Sequence, residues 1–272
     1  MKLKTLTLLA SIILVPVTLE SCGLSTADLK AIAKSTSGKD NYRDSETWGK
    51  VVTKSIDTKG ADITTLTARG SIDIEISQGE QLKIEAHGNE KAIEAHDLDF
   101  SDNELTISRK SGNVFNNTPK ITLHITTPHI QNIIMSGTSD IEFKTDYEIE
   151  APFNITMSGT GDIDIKALKC ESTDIKISGT GDLKAKKITC KTSADILVSG
   201  TGDINASIKA NSISAKVSGV GDADLDVDCN NLFASASGVG DMELKGKCIN
   251  YKKHESGKSS IDSRGLTYKE KK

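Results

Sequence analysis

Apolar and polar residues alternate with a period of two over most of the chain from about residue 50 onward. In one typical stretch Ile155, Met157, Ile163 and Ile165 are apolar, and the residues between them are polar or glycine. Successive side chains of a strand point to opposite faces, so this alternation predicts half-buried strands. The only helical segment predicted is one or two turns over residues 89–97. The pattern therefore predicts an all-β protein.

A five-residue motif punctuates these strands at nearly constant spacing. Its copies read SGTSD, SGTGD or SGVGD, with a worn SGKSS at the end, and they begin at Ser136, Ser158, Ser178, Ser199, Ser218, Ser237 and Ser256. Successive copies lie 19 to 22 positions apart, and a period near twenty is typical of a solenoid. Connections between parallel strands favour a right-handed coil. We therefore predict a right-handed parallel β-helix with coils of about 19–22 residues, each made of three strands and their turns.

The glycines of the motif fall at a corner between two strands. Glycine adopts positive φ without Cβ strain, so a structural turn role is predicted for this set. Its members are Gly159, Gly161, Gly179, Gly181, Gly200, Gly202, Gly219, Gly221, Gly238 and Gly240.

The aspartates of the motif form a second row, which begins at Asp140. Its members are Asp140, Asp162, Asp182, Asp203, Asp222 and Asp241. The same carboxylate recurs in every coil, whereas a hydrolase needs one special pair, so a structural turn role is favoured over catalysis. Cation binding by the row from Asp162 to Asp241 stays an alternative. Stacked carboxylates repel, and their charge must be compensated by backbone N–H groups, the Ser hydroxyls or cations.

Four cysteines track the same repeat and form a ladder of one core position. The ladder is Cys170, Cys190, Ala210, Cys229 and Cys248. Two interpretations stay open: buried, stacked thiols, or disulfides between adjacent coils that join Cys170 to Cys190 and Cys229 to Cys248. Structural zinc is not expected, because the chain has no CxxC pair and no His at ligand spacing.

The region from Trp48 to Ile134 lacks the motif but keeps the strand pattern. We interpret it as the opening coils of the solenoid, with corners at residues 78–81 and 102–104 and an irregular excursion near residues 110–119. A separate β-domain packed end-on is the alternative interpretation. The solenoid is predicted to span residues 47–255, followed by a degenerate last coil and basic tail over residues 256–272.

The amino terminus has the pattern of an export signal, predicted over residues 1–21. A basic start precedes an apolar run that is too short to span a bilayer. A small residue precedes Cys22, as in a lipoprotein signal-peptidase site, so lipidation of Cys22 and a lipid-anchored tether over residues 22–46 are predicted. An ordinary signal peptide followed by a chance cysteine is the alternative.

The segment GSIDIEISQGEQLKIEA from Gly70, the segment NELTISRK from Asn103 and the serial SG(T/V)GD turns together resemble the head GIN domain family of auto-transporter adhesins. The resemblance covers roughly residues 50–257. It implies a right-handed β-helix at the cell envelope, of the kind found in exported lipoproteins of Bacteroidetes. The adhesive role that this resemblance implies rests on similarity of shape, because a fold does not fix a function.

Composition and motifs narrow the possible functions. The net charge of −4 gives no reason to expect a nucleic-acid partner. Aromatic residues make up only 4% of the chain, and it has no GxSxG or HExxH motif. No catalytic residue and no cofactor are therefore predicted. We expect a monomeric, non-catalytic lipoprotein of the outer membrane that binds polysaccharide or a host or matrix surface. The alternatives are a periplasmic structural or sensing partner and, third, a glycan-active β-helix enzyme.

Overall fold

The computed structural model describes residues 48–110 and 119–268, which form eighteen strands and one short helix. The strands are β1 Val51–Ile56, β2 Thr65–Gln78, β3 Lys83–Asn89, β4 His96–Ser101, β5 Glu104–Arg109, β6 Ile121–Thr127, β7 Asn132–Thr138, β8 Ile141–Glu148, β9 Phe153–Met157, β10 Ile163–Cys170, β11 Thr173–Ile177, β12 Leu183–Cys190, β13 Ser193–Val198, β14 Ile204–Lys209, β15 Ser212–Val217, β16 Ala223–Asp228, β17 Asn231–Lys247 and β18 Asn250–Thr267. The helix α1 spans Glu90–Glu94, within the segment where one or two turns were predicted.

From β7 onward the strands stack in two parallel series, one strand of each series per coil. One series runs β7–β9–β11–β13–β15–β17 and the other runs β8–β10–β12–β14–β16–β17. Residues at the same position of successive repeats are register partners, so that Ile175 pairs with both Ile155 and Ile196. The chain is therefore a parallel β-solenoid of about 7 turns, as the sequence predicted.

In three strands of the second series, β8, β10 and β12, the alternation of inward and outward residues resets partway along the strand. In β10 the buried residues are Ile163, Ile165, Leu168 and Cys170, so the alternation of inward and outward residues resets between Ile165 and Leu168. The register with β8 shifts at the same place. β14 and β16 show no such reset, because their inward and outward residues alternate throughout.

The core is one continuous column of buried apolar side chains that runs from Trp48 to Leu266. Isoleucine is its commonest residue. At one level Phe143, Tyr147 and Phe153 pack with their ring centroids 5.6–6.0 Å apart. Because every coil buries its inward face against its neighbours, the solenoid needs no wide globular interior.

The first strands belong to the same column, but they do not stack in chain order. The first half of β2 lies between β5 and β7, and its second half lies between β6 and β8. Thus β5 and β6, which follow β2 in the chain, form the layer on its far side. The antiparallel strands β1, β3 and β4 then pair outward from β5 and β6. These strands therefore share the sheet and the core of the later coils, but they do not stack in the order of the chain.

The structure confirms a tight turn at only one of the two corners predicted in this region. Residues 78–81 do not join a hairpin, because β6 lies between β2 and β3. Asp102 and Asn103 do form the two-residue turn of a hairpin between β4 and β5, with φ of 50° and 61°. Positive φ at both central residues is the turn geometry that matches the twist of paired strands.

The last coil is more regular than its sequence indicated. β18 pairs with β17 from Asn250 to Thr267, and Ser256, Gly257 and Ser260 are register partners of Ser237, Gly238 and Asp241. The segment predicted to be degenerate from residue 256 thus remains paired with β17 up to Thr267, apart from a register shift after Asp262.

Several predictions concern residues outside the described ranges. These are the signal peptide over residues 1–21, lipidation of Cys22, the tether over residues 22–46, most of the excursion near residues 110–119, and the end of the basic tail. Among the described residues, no helix has the length and apolarity needed to cross a bilayer.

Candidate functional site

The aspartates of the repeated motif form a continuous hydrogen-bonded ladder along one corner of the solenoid. In each step Oδ1 of one aspartate accepts the backbone N–H of the aspartate in the next coil. The N–Oδ1 distances are 3.0 Å for Asp162 to Asp140, 2.9 Å for Asp182 to Asp162, 2.9 Å for Asp203 to Asp182, 2.8 Å for Asp222 to Asp203 and 2.8 Å for Asp241 to Asp222. This geometry assigns a structural part to every carboxylate of the row.

The ladder continues beyond the motif at both ends. Asp73 accepts the N–H of Asp140 at 3.0 Å, and Oγ of Ser260 donates to Asp241 at 2.7 Å. Asp73 belongs to the segment RGSID, in which Arg69, Gly70 and Ser71 are register partners of the first three residues of the motif SGTSD in β7. Ser260 replaces the aspartate in the last coil and closes the ladder with a hydroxyl donor.

Backbone N–H groups, rather than the motif serines, supply most of the compensation for the carboxylate charge. The serine hydroxyls instead bond to the preceding coil: Ser158 Oγ donates to the carbonyl of Met135 at 3.2 Å, and Ser178 Oγ donates to that of Met157 at 3.3 Å. The serine and the aspartate of the motif thus each tie one coil to its neighbour through a different group.

A lysine at the first rung was not found by sequence reasoning. Lys120 Nζ lies 2.5 Å from Asp73 Oδ1 and 3.2 Å from Asp140 Oδ2. Partial burial raises the pKa of Asp140, but the N–H of Asp162 and the Lys120 ammonium together bring that pKa below its usual value. No local motif marks Lys120, because it meets these carboxylates only through the stacking of β6 on β2.

The glycines of the motif are required mainly because adjacent coils approach closely. A Cβ built on Gly179 would lie 1.7 Å from the carbonyl oxygen of Gly159, and for all ten predicted turn glycines that distance to the preceding coil is 1.7–2.2 Å. Positive φ holds for the second glycine of each copy, such as Gly161 at 149°, but not for Gly179. The prediction of positive φ is therefore wrong for the first glycine in four copies, namely Gly159, Gly179, Gly200 and Gly219.

The second glycines of the motif, from Gly161 to Gly221, form the floor of a trough between two rows of side chains. One wall is the aspartate row, and the other is a row of outward residues joined by backbone bridges from coil to coil: Thr138, Thr160, Thr180, Thr201, Val220 and Val239. The trough has a volume of about 560 Å³ and is lined by residues from Asp140 to Gly221. It runs along the solenoid axis, so each coil adds the same elements to it.

A second groove of about 470 Å³ lies on the other side of the aspartate row. Its lining is strongly acidic, with Asp224 and Glu243 added to the aspartates of four coils and Lys184 as the one cation among the lining residues. The aspartate row therefore forms a ridge between two open channels.

The cysteine ladder lies inside the solenoid, away from both channels. Cys170, Cys190, Cys229 and Cys248 are all buried and all have free thiols, and Ala210 is buried in the same row. Cys170 and Cys190 are register partners with their Sγ atoms 3.5 Å apart.

The metal-binding alternative has no geometric support in the part of the chain that the structure describes. There, no group of three or more His, Cys, Asp or Glu side chains is placed to hold one ion. The aspartates stand in a line, and one oxygen of each accepts a backbone N–H or, at Asp241, the Ser260 hydroxyl. The structure also brings His87 and His124 together: their ring centroids are 6.5 Å apart, and Nδ1 of His124 lies 2.7 Å from Glu75 Oε2.

Comparison with known proteins gives a family match over most of the chain. The model of the family described as "Putative auto-transporter adhesin, head GIN domain" matches residues 62–207 and 185–272. No curated protein matches.

Solved structures share the fold. A putative adhesin from Bacteroides fragilis NCTC 9343 is 24% identical, with a TM-score of 0.71 over 78% of this chain and 96% of its own. A putative lipid binding protein from Parabacteroides distasonis ATCC 8503 is 17% identical, with a TM-score of 0.57 over 79% and 96%. A putative adhesin from Parabacteroides merdae ATCC 43184 is 20% identical, with a TM-score of 0.56 over 79% and 96%. Neither the family nor these three structures carry the name of an enzyme.

Proposed function

Since this chain belongs to the head GIN domain family of auto-transporter adhesins, we propose that it is a non-catalytic binding module of the cell envelope. Its ligand is a linear, hydroxyl-rich polymer, such as a polysaccharide of a host, matrix or neighbouring cell surface. The ligand lies along the trough between the threonine and aspartate rows.

The observation that carries this proposal is the regular repetition of the trough. Stacked strands lie about 4.8 Å apart, so equivalent groups recur at that spacing along the axis. A polymer ligand with a repeating unit meets the same wall and floor in each coil. Many weak contacts then combine to give a higher overall affinity. A single small molecule would use only a fraction of this surface.

The chemistry of the two walls suits a sugar chain. Oδ1 of Asp182 and Oδ1 of Asp203 each accept a backbone N–H, so these carboxylates are fixed in place while their second oxygens can accept sugar hydroxyls. Hydrogen bonds to a charged acceptor are stronger than those between neutral groups. The threonine methyls and the glycine floor offer a smooth apolar strip against which the C–H faces of sugar rings can pack.

A glycan-binding array with the wild-type chain and two matched variants tests this assignment. The trough variant is Asp182→Asn with Asp203→Asn, which keeps both Oδ1 acceptors of the ladder but removes the charges. The control is Asp195→Asn with Asp226→Asn, which removes two exposed charges that line neither channel. Loss of two charge-assisted hydrogen bonds should weaken binding by about tenfold or more in the trough variant alone.

The outcomes separate two kinds of failure. Binding that persists in the trough variant would place the ligand elsewhere on the solenoid. Absence of glycan binding by the wild-type chain, together with unchanged adherence of cells that lack the protein, would overturn the proposed function.

The proposal includes attachment to the outer membrane through Cys22, with the solenoid on the cell surface. Protease shaving of intact cells, followed by antibody detection of this chain, tests the location. Loss of the protein supports a surface adhesin. Protection until the outer membrane is permeabilised would instead favour the periplasmic structural or sensing role. Incorporation of labelled fatty acid, abolished by Cys22→Ala, tests the anchor.

A further inference from the structure

The thiols of Cys170 and Cys190 face each other between two successive coils. Cys170 ends β10, Cys190 ends β12, and their Cα atoms are register partners. Their Sγ atoms are 3.5 Å apart, and the residues are 1% and 5% exposed. The side chains therefore already point toward one another.

The other two cysteines provide an internal comparison. Cys229 and Cys248 occupy the same row of the solenoid and are also buried. In the described residues a thiol–thiol hydrogen bond joins Cys170 to Cys190, but none joins Cys229 to Cys248. Both pairs thus occupy the same position in the repeat, but only Cys170 and Cys190 have sulfurs within hydrogen-bonding distance.

We propose that Cys170 and Cys190 form a disulfide that cross-links two adjacent coils, while Cys229 and Cys248 remain thiols. The cross-link is a covalent modification of the core and is independent of the trough and its ligand.

The geometry allows this bond and predicts that it is strained. Adjacent strands lie about 4.8 Å apart, within the Cα separation of about 4.4–6.8 Å found in disulfides. The sulfurs must close from 3.5 Å to about 2.05 Å. In-register Cβ atoms on parallel strands are separated by about the strand spacing, which exceeds the usual Cβ separation of about 3.5–4.5 Å. The disulfide should therefore be reduced more easily than an unstrained structural disulfide.

The chemistry is an ordinary thiol–disulfide exchange with an external disulfide, either oxidised glutathione or the disulfide of an oxidoreductase. It takes place while the coil is open during folding. In the open coil both thiols are accessible to solvent, so either can attack first, and Cys170 serves as the example. Its thiolate attacks the external disulfide, forms a mixed disulfide and releases one thiolate. Cys190 then loses its proton to solvent and attacks Sγ of Cys170, which releases the second thiolate. Two protein thiols are oxidised and one external disulfide is reduced to two thiols.

The experiment refolds the full mature chain in glutathione buffers from reducing to oxidising, then blocks free thiols under denaturing conditions and maps the peptides. In oxidising buffer we expect a Cys170–Cys190 linked peptide, with Cys229 and Cys248 both alkylated. The variant Cys229→Ala with Cys248→Ala should form the same link, and Cys190→Ala should leave Cys170 alkylated. Alanine is the chosen replacement because Ala210 already fills this row.

The melting temperature distinguishes a disulfide of the folded protein from incidental oxidation. The linked form should melt several degrees above the reduced form, and the Cys170→Ala, Cys190→Ala variant should melt at one temperature in both buffers. The proposal would be overturned if all four ladder cysteines were alkylated in every glutathione buffer. It would also be overturned if Cys229 and Cys248 became linked instead.

Discussion

The backbone N–H of Asp203 donates a 2.9 Å hydrogen bond to Oδ1 of Asp182, its equivalent in the preceding coil. Asp203 in turn accepts the N–H of Asp222 at 2.8 Å. Each aspartate is thus both a donor, through its backbone, and an acceptor, through its side chain. The row of like charges is stabilised by the same stacking that creates it.

Substitutions at Asp203 should separate the acceptor role of the side chain from its charge. Asp203→Asn keeps an oxygen that accepts the N–H of Asp222, so the free energy of unfolding should change by less than about 0.5 kcal/mol. Asp203→Ala removes the acceptor and should cost about 0.5–1.5 kcal/mol. That loss corresponds to a melting temperature lower by roughly 1–6 °C, which differential scanning calorimetry can resolve.

A chelator provides the control for this prediction. If backbone N–H groups compensate the carboxylates, EDTA should leave the melting temperature of the wild-type chain unchanged. A drop of several degrees on chelation would show that a bound cation contributes to the ladder. An equal loss of stability in Asp203→Asn and Asp203→Ala would show that charge, rather than the acceptor, is what matters.

The sequence predicted the repeat, the alternation and the row of aspartates, because these are properties of local spacing. It did not identify the N–H partner of each carboxylate, since Asp182 and Asp203 meet only when coils stack in register. The same limit explains the first strands. The alternation of Ile72, Ile74 and Ile76 marks a buried face but does not show that β6, rather than β3, is the neighbouring strand.

Gly179 should tolerate no side chain at all. The Cβ of Gly179→Ala would lie 1.7 Å from the Gly159 carbonyl oxygen, so the coils would have to separate locally. Gly60→Ala is the matched control, because Gly60 has φ of 73° but no atom within 4 Å of the added Cβ. The control should cost about 1–2 kcal/mol through left-handed backbone strain alone. Chemical denaturation should show a much larger loss for Gly179→Ala, or failure to fold.

A small effect at Gly179, similar to that at Gly60, would contradict the close-approach explanation. Sequence alone could not choose between the two reasons for glycine, because positive φ and steric exclusion favour the same residue. The structure separates them: the φ values place the second glycine of each copy in the left-handed region, and the inter-coil distances exclude a Cβ at both.

Buried His96 should make the protein less stable in mild acid. Burial lowers the pKa of His96 below 6.5, Arg109 and Lys110 add to this effect, and the hydrogen bond to the Ala92 carbonyl opposes it. The unfolded chain therefore binds a proton more readily than the folded one once the pH falls below about 6.5. The contribution is fully present above that pH and is lost as the pH falls toward the folded pKa.

Melting temperatures at about pH 7.5 and about pH 5.5 measure this term. His96→Asn should show a smaller decrease between the two conditions than the wild-type chain, because the titrating ring is gone. His254→Asn, at an exposed position, should behave like the wild type. Surface carboxylates titrate equally in all three proteins, so the difference isolates His96. Equal pH dependence in His96→Asn and the wild type would contradict the assignment.

Two charged residues on the inward side of the last coil should keep the solenoid monomeric. Lys253 and Glu255 are register partners of Ala234 and Ala236, which are buried in the coil before. Lys253 Nζ lies 3.2 Å from Glu255 Oε1, and Glu255 also accepts the N–H of Ile261 at 2.6 Å. Inward-pointing charges on an edge strand oppose pairing with another chain, because stacking would bury them.

Replacing both by alanine restores the pattern of the preceding coil and exposes an open strand edge above an apolar core. Light scattering should show a mass that rises with concentration for Lys253→Ala with Glu255→Ala, and a constant monomer mass for the wild type. Lys252→Ala with His254→Ala is the matched control, because these residues are partners of the outward Phe233 and Ser235. It removes a positive charge from the same strand but leaves the inward pair intact, so it should remain monomeric. Association of the control to the same extent would show that the net charge of the end, and not the inward position of the pair, prevents stacking.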